Sequence, residues 1–180
     1  GISSGGMNTC AYTSDGAAYC WGENSSGQLG DNTFNAYTQP TQIGTNTSWQ
    51  LIAANGDRSV GSDGRFVGWG NNAFGQLGDN TTTNRSSPTP IFSNNIWDFS
   101  AQASITRPAI GVGLNHTAAW DVDGYLWSWG DNSVGQLGDG ATTQHLVPTR
   151  SLMAPIVSAL QPETTLTAGS YFQFNFSVFN

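Results

Sequence analysis

The sequence predicts an all-β chain built from three tandem copies of a propeller-type blade. Two observations carry this. Three segments nearly repeat one another: WGENSSGQLGDN from Trp21, WGNNAFGQLGDN from Trp69 and WGDNSVGQLGDG from Trp129. Between them lie short β-prone runs punctuated by Gly-rich turns, with no long 3.6-period apolar stripe to mark a helix. Self-similarity on this scale means one supersecondary unit copied in tandem.

The register extends outward from the tryptophans. Trp69 minus Trp21 is 48, and the same offset links Asp15 to Asp63, Pro40 to Pro88 and Trp49 to Trp97. From the second unit to the third the offset is 60, linking Trp69 to Trp129, Asp63 to Asp123 and Pro88 to Pro148. The twelve additional residues are assigned to Asp98–Ala109, upstream of the third unit's strands. The repeats therefore run over about 1–48, 49–96 and 97–150, and 151–180 form a linker and a C-terminal strand segment. An insertion into a repeat is a place where individual function is grafted.

Each unit opens on a hairpin. In the first, Met7–Thr13 and Ala17–Gly22 flank Ser14-Asp15-Gly16, and the turn recurs as Ser62-Asp63-Gly64 and Val122-Asp123-Gly124. If the loop holds three residues, Thr13 faces Ala17 and Cys10 lies opposite Cys20, where a disulfide contributes roughly 2–3 kcal/mol. On the constant offsets, Arg58 and Gly68 occupy those positions in the second unit, and Ala118 and Ser128 in the third. A Gly-Gln-Leu-Gly run, a Thr/Asn stretch and a Pro-led strand such as Pro88–Phe92 complete the unit. Units of this length with about four strands suit a propeller blade. Trp21, Trp69 and Trp129 read as blade core, and Trp49 and Trp97 as packing between blades. Trp120 and Trp127 are peculiar to the third unit and are candidate partner contacts, or else core around the insertion.

Gly113-Leu-Asn-His116-Thr117, the Asp-Gly hairpins, Trp-Gly and the triple Gly-Gln-Leu-Gly give residues 5–150 a specific likeness. This stretch resembles the regulator of chromosome condensation repeat family. On the constant offsets, Asn8 and Gly56 replace the family's His in the first two units. The resemblance implies a propeller, commonly seven-bladed. Its members include a nucleotide-exchange factor for a small GTPase, chromatin-associated proteins and secreted proteins that bind other proteins. Seven such units need about 340 residues, and this chain has 180. Three blades make an open arc or part of a larger propeller, to be completed by other copies of the chain or by missing domains.

Past Pro148 the repeat fades. Phe172, Phe174, Phe176 and Val178 alternate with Gln173, Asn175 and Ser177, which places the aromatic residues on one strand face. This strand either packs in the chain's own core, with Ala168–Phe172 as the start of a fourth blade, or is donated to a neighbouring subunit. The segment is also similar to the opening strands of secreted immunoglobulin-like domains. Head-to-tail donation without closure builds a filament.

Composition bounds the setting. The net charge is −7, the sequence pI is near 4.3, and the five basic residues are all Arg. An acidic chain without a basic cluster lacks the footprint of a nucleic-acid binder. No apolar run reaches the 18 residues of a membrane span. The paired cysteines point to an oxidising, extracellular or cell-surface location. Sequons at Asn24, Asn46, Asn80 and Asn84 are candidate glycan acceptors, and those at Asn115 and Asn175 complete the set.

Catalysis has little to stand on. His116 and His145 occupy different blade positions, and Asp15, Asp63, Asp123, Asp31, Asp79 and Asp139 recur in phase, as turn-forming residues do. No phosphate loop, dinucleotide fingerprint or nucleophile elbow is present. Asp and Asn oxygens suit calcium, but no EF-hand spacing is visible; no metal or cofactor is expected. The sequence reads as a non-enzymatic extracellular structural or adhesive module that assembles with its own copies into a scaffold or filament. The alternative is a secreted protein- or glycan-binding domain using Arg107 of the insertion, Trp120, Trp127, Phe172, Phe174 and Phe176. Guanine-nucleotide exchange is implied by the family resemblance alone.

Overall fold

A computed structural model describes residues 1–91, 110–121 and 124–152. They form three four-stranded antiparallel meanders, each with its strands in chain order. The first blade contains β1 (Ile2–Ser4), β2 (Asn8–Tyr12), β3 (Ala18–Gly22) and β4 (Tyr37–Gln42). The second contains β5 (Leu51–Asn55), β6 (Arg58–Ser62), β7 (Phe66–Gly70) and β8 (Arg85–Pro90). The third contains β9 (Ile110–Val112), β10 (His116–Trp120), β11 (Leu126–Gly130) and β12 (His145–Arg150). The insertion 98–109 with Arg107, Trp97, and the tail with Phe172, Phe174 and Phe176 lie outside the described residues.

The first strands of successive blades adjoin. β5 lies against β1 and β2, and β9 against β5. Ala54 N–H donates to Ser3 Oγ at 3.0 Å, and Asn55 Nδ2 donates to the Val112 carbonyl at 2.5 Å. Strands β1, β5 and β9 thus form the inner side of a fan of sheets, the arrangement of propeller blades.

Register corrects two sequence expectations. In the outer blades Asn8 pairs with Gly22 and His116 with Gly130, but in the second blade Arg58 pairs with Gly70. The second hairpin is therefore two residues shorter, with Ser62 opposite Phe66 and a turn of Asp63-Gly64-Arg65. Arg58, not Gly56, stands where the third blade has His116. Val60, not Arg58, faces Gly68 at the position of the disulfide. A constant offset aligned to the tryptophans cannot register a deletion on the other side of the turn. The Pro-led strand also needs correction: β8 starts at Arg85, three residues before Pro88. Pro40, Pro88 and Pro148 sit inside β4, β8 and β12, the outermost strands, where one side of the backbone has no ladder to lose.

Trp-Gly marks a bulge in every blade. The ladder to the fourth strand shifts between Cys20 and Gly22, Gly68 and Gly70, and Ser128 and Gly130. Gly22, Gly70 and Gly130 have φ of 108°, 98° and 102°. A Cβ at Gly22 would lie 2.4 Å from the Met7 carbonyl oxygen, so glycine is needed for both conformation and space. The chain leaves the ladder there and enters the Gly-Gln-Leu-Gly loop.

The apolar core lies between blades. Cys10, Ala18, Cys20, Leu29 and Ile43 of the first blade meet Ile52, Val67 and Trp69 of the second, with Trp49 from the connection. Trp49 and Trp69 stack edge to face with centroids 5.6 Å apart. A second layer joins Val60, Phe66 and Ile91 to Ala119 and Trp129. A single blade cannot bury its own faces, so stability is shared between neighbours.

Cys10 and Cys20 pair across β2 and β3 and are joined as a disulfide, fully buried in the first layer. Removing it with Cys10→Ala and Cys20→Ala should lower stability by about 2–3 kcal/mol and leave the fold intact. Urea melts of oxidised and doubly substituted protein, with circular dichroism as readout, measure the difference.

Candidate functional site

The repeated segment forms the joints between blades. Its Gln backbone carbonyl receives the tryptophan of the next blade: Trp69 Nε1 donates to Gln28 O at 3.0 Å, and Trp129 Nε1 to Gln76 O at 3.0 Å. A hydroxyl from the next blade reaches the same oxygen, Ser59 Oγ at 3.0 Å and Thr117 Oγ1 at 2.7 Å. The final glycine of the run supplies the floor. A Cβ on Gly30 or Gly78 would lie 2.7 Å from the indole nitrogen of Trp69 or Trp129. Both indoles are completely buried.

Each loop is held in shape by a buried asparagine. Asn24, Asn72 and Asn132 accept from the N–H of Leu29, Leu77 and Leu137 at 2.9, 2.9 and 3.0 Å. Their amides donate to Asp31, Asp79 and Asp139 at 3.3, 3.0 and 3.0 Å. The Asp carboxylates, in turn, hold the following Thr or Ala turn. Arg85 grips Asp79 Oδ2 through Nη2 at 2.6 Å, and His145 Nε2 meets Asp139 Oδ2 at 2.5 Å. Burial pushes the Asp79 carboxyl up, but bonds from Thr81 and Arg85 outweigh it and leave the group below its usual range. Asp139 is held down to about 2 by the Ala141 N–H, then by His145 and Asn132. These carboxylates are occupied with scaffolding. Among the described residues, no three His, Cys, Asp or Glu side chains gather as metal ligands do.

Asn8, Arg58 and His116 share one register position at the start of the second strand, and the first two reach across a joint. Asn8 Nδ2 donates to Ser59 Oγ at 3.3 Å. Arg58 Nη1 donates to Thr117 Oγ1 at 2.6 Å and Gln76 O at 3.0 Å, and Nη2 to Gly113 O at 2.9 Å and His116 O at 2.5 Å. Arg58 is fully buried, and burial pushes its guanidinium pKa down to about 9. It stays charged at neutral pH, since four acceptors favour the cation and arginine resists deprotonation. Burial, then the Arg58 charge, lowers the pKa of half-buried His116.

The two ends of the fan are unlike. Among the described residues nothing donates to the Gln136 carbonyl, and a Cβ on Gly138 would meet nothing within 4 Å. At the other end Trp21 is only half-buried. The surface candidates fare differently from one another. Trp120 is half-buried. Trp127 packs on the second core layer and donates Nε1 to Asp121 Oδ2 at 2.7 Å, so the two tryptophans do not form an exposed patch. Asn24 cannot be a glycan acceptor, because its amide is buried and fully engaged. Asn46 is half-buried with Nδ2 on Asp63 at 2.7 Å, whereas Asn80 and Asn84 are exposed. The in-phase recurrence of Asn24, Asn72 and Asn132 was the signal for a pin rather than a sequon.

Three blades joined through the same tryptophan contact define a tandem-blade β-propeller protein. The chain belongs to the regulator of chromosome condensation family: the pattern described as "Regulator of chromosome condensation (RCC1) repeat" matches residues 15–60, 63–120 and 123–161. A second pattern of the same description matches 1–28 and 109–136. Human WBSCR16 is similar in fold, with a TM-score of 0.69 and 23% identity over 83% of this chain and 37% of that one. Prp20p from Saccharomyces cerevisiae, a structure described with its binding to Gsp1p and histones, has a TM-score of 0.68 and 25% identity, covering 83% and 37%. Yeast RCC1 (Prp20) bound to Kap60 has a TM-score of 0.66 and 25% identity, covering 83% and 36%. This chain thus spans a little over a third of these proteins. No curated protein sequence matches it. Among the described residues no helix is long and apolar enough to cross a membrane.

Two outcomes test the joints. Arg58→Met strands several buried acceptors and should cost about 1–3 kcal/mol; Arg58→Lys, which keeps the charge without the planar fork, should fall between it and the native chain. Urea melts at neutral pH rank the three. Asp139 has a folded pKa below its unfolded value near 4, so its stabilisation is present above pH 4 and lost as pH falls through about 2. Asp139→Asn should therefore be less stable than the native chain at pH 7, and denaturant titrations should show the gap closing between about pH 4 and pH 2.

Proposed function

We propose that this chain is a non-enzymatic structural or adhesive module, working outside the cell or at its surface, whose blades are completed by further copies or by further blades of a longer polypeptide. The observation that carries this reading is the joint loop of the third blade, which no described residue from a further blade fills and whose two counterparts each seat a tryptophan. The two filled joints each take an indole and a hydroxyl of the next blade, which supports another blade as the partner here. The buried Cys10–Cys20 disulfide supports an oxidising setting. Exposed Asn80 and Asn84 are the sequons suited to glycan.

A second reading is a protein- or glycan-binding propeller domain. It is favoured by the similar solved structures, whose described partners, Gsp1p, histones and Kap60, are proteins. Nucleotide exchange rests on kinship alone, and an acidic chain with no lysine has no basic surface for chromatin.

The deciding experiment is the intact mass and assembly state of native material, by mass spectrometry and negative-stain imaging. Chains near 19.0 kDa plus glycan, found in rings or fibres, bear out the assembling module. A much longer monomeric chain assigns these residues to one sector of a larger propeller, and the binding-domain reading then replaces self-assembly.

A further inference from the structure

We infer that the open joint loop of the third blade is a socket for the Trp21 edge of a second copy of this chain. The inference rests on the reading of the chain as an assembling module and names the partner and the contact.

The two filled joints show what the socket accepts. Each takes one indole N–H and one hydroxyl on a Gln carbonyl, with the ring lying over a glycine. At the third loop, among the described residues, Gln136 O is free of donors and a Cβ on Gly138 would meet nothing within 4 Å. Gly135 points the same way: a Cβ there meets only Ala141 O at 3.8 Å, whereas at Gly27 and Gly75 the next blade lies 2.6 and 2.4 Å away. Val134, beside the socket, is 84% exposed.

The required plug is a Trp-Gly pair on the third strand of a blade, facing a hydroxyl residue on the second. The sequence contains three Trp-Gly pairs, and those at Trp69 and Trp129 are already seated. Residues 153–180 contain no tryptophan. Trp21-Gly22 is the remaining pair. Its cross-strand partner is Thr9, in the register of Ser59 with Trp69 and Thr117 with Trp129. Both Trp21 and Thr9 are half-buried, where their counterparts are fully buried. His116, which shares its position with the bridging Asn8 and Arg58, stands at the socket and would face Thr9 of the incoming copy. The contact is a continuation of an interface that the chain already makes twice. It is heterologous, so repetition gives a ring or a filament according to whether the rotation closes.

The test uses Trp21→Ala, which removes the plug, and Gly138→Asn, which blocks the socket. Asparagine tolerates the left-handed backbone, and Asn32 and Asn80 already adopt it at φ of 66° and 63°, against 67° for Gly138. Multi-angle light scattering over a range of concentrations should show the unsubstituted 180-residue chain associating and each variant alone remaining single. An equal mixture of the two variants should form a two-chain species and stop there, because one intact plug meets one intact socket and both outer ends are dead. Cooperative thermal melts of each variant check folding, and recovery in the mixture is itself proof of it. If the native chain associates but the variants do so equally, self-assembly stands and this joint is wrong. If the mixture stays single while the native chain associates, the plug-and-socket pairing is overturned. If the unsubstituted chain never associates, this joint and the completion of the blades by further copies both fall, and cross-links from 153–180 to the Val134–Gly138 loop would assign the socket to the chain's own following residues.

Discussion

Everything in this fold hangs on one contact: an indole N–H of one blade on a backbone carbonyl of the blade before it, over a glycine with no side chain. The contact joins the three scales of the molecule. Trp-Gly needs its bulge so that the chain can leave the ladder, and the loop it enters builds the carbonyl for the next tryptophan. That loop keeps its shape because a buried asparagine and an aspartate satisfy its backbone. Remove any one part and the neighbouring blade loses its seat, since the apolar layers lie between sheets rather than within them.

The phase of the repeat follows from this. The matched family units begin at Asp15, Asp63 and Asp123; the first two start inside hairpin turns and end in β6 and β10. Each of these two units therefore holds the second half of one blade and the first half of the next. A unit defined in this way contains a whole joint, from Gly-Gln-Leu-Gly to the strand with the bridging hydroxyl. Inheritance by unit copies the interface intact even though it cuts every sheet in two.

Much of this was legible in the sequence, and the limits have physical causes. The hairpins, the blade count, the Cys10–Cys20 opposition and the placement of Trp49 between blades followed from spacing and turn chemistry. The inner strands β1, β5 and β9 carried little signal: β1 and β9 are three residues long, and β5 is recognised by its neighbours rather than its pattern. The shortened second hairpin was hidden because the tryptophan offset is blind to what precedes the turn, and with it the bridging place of Arg58 was lost. Asn24 was misread because a glycosylation sequon and a loop pin share the same residue, and only burial separates them. Trp120 and Trp127 were open between partner contact and core packing because they are not repeated, and the indole of Trp127 caps Asp121.

The position shared by Asn8, Arg58 and His116 has a consequence for how such a chain folds. Tandem units this alike face a hazard that other domains do not, because a blade can mate with the wrong neighbour, skip one, or exchange with a second molecule during synthesis. Here each junction carries its own key. The first is a short amide reaching a serine, and the second a long cation, carried on a hairpin shorter by two residues, that reaches four oxygens. A blade in the wrong order would bury a charge without acceptors or leave a gap the length of an arginine. The common joint makes the blades stack, and this one varied position tells them in which order.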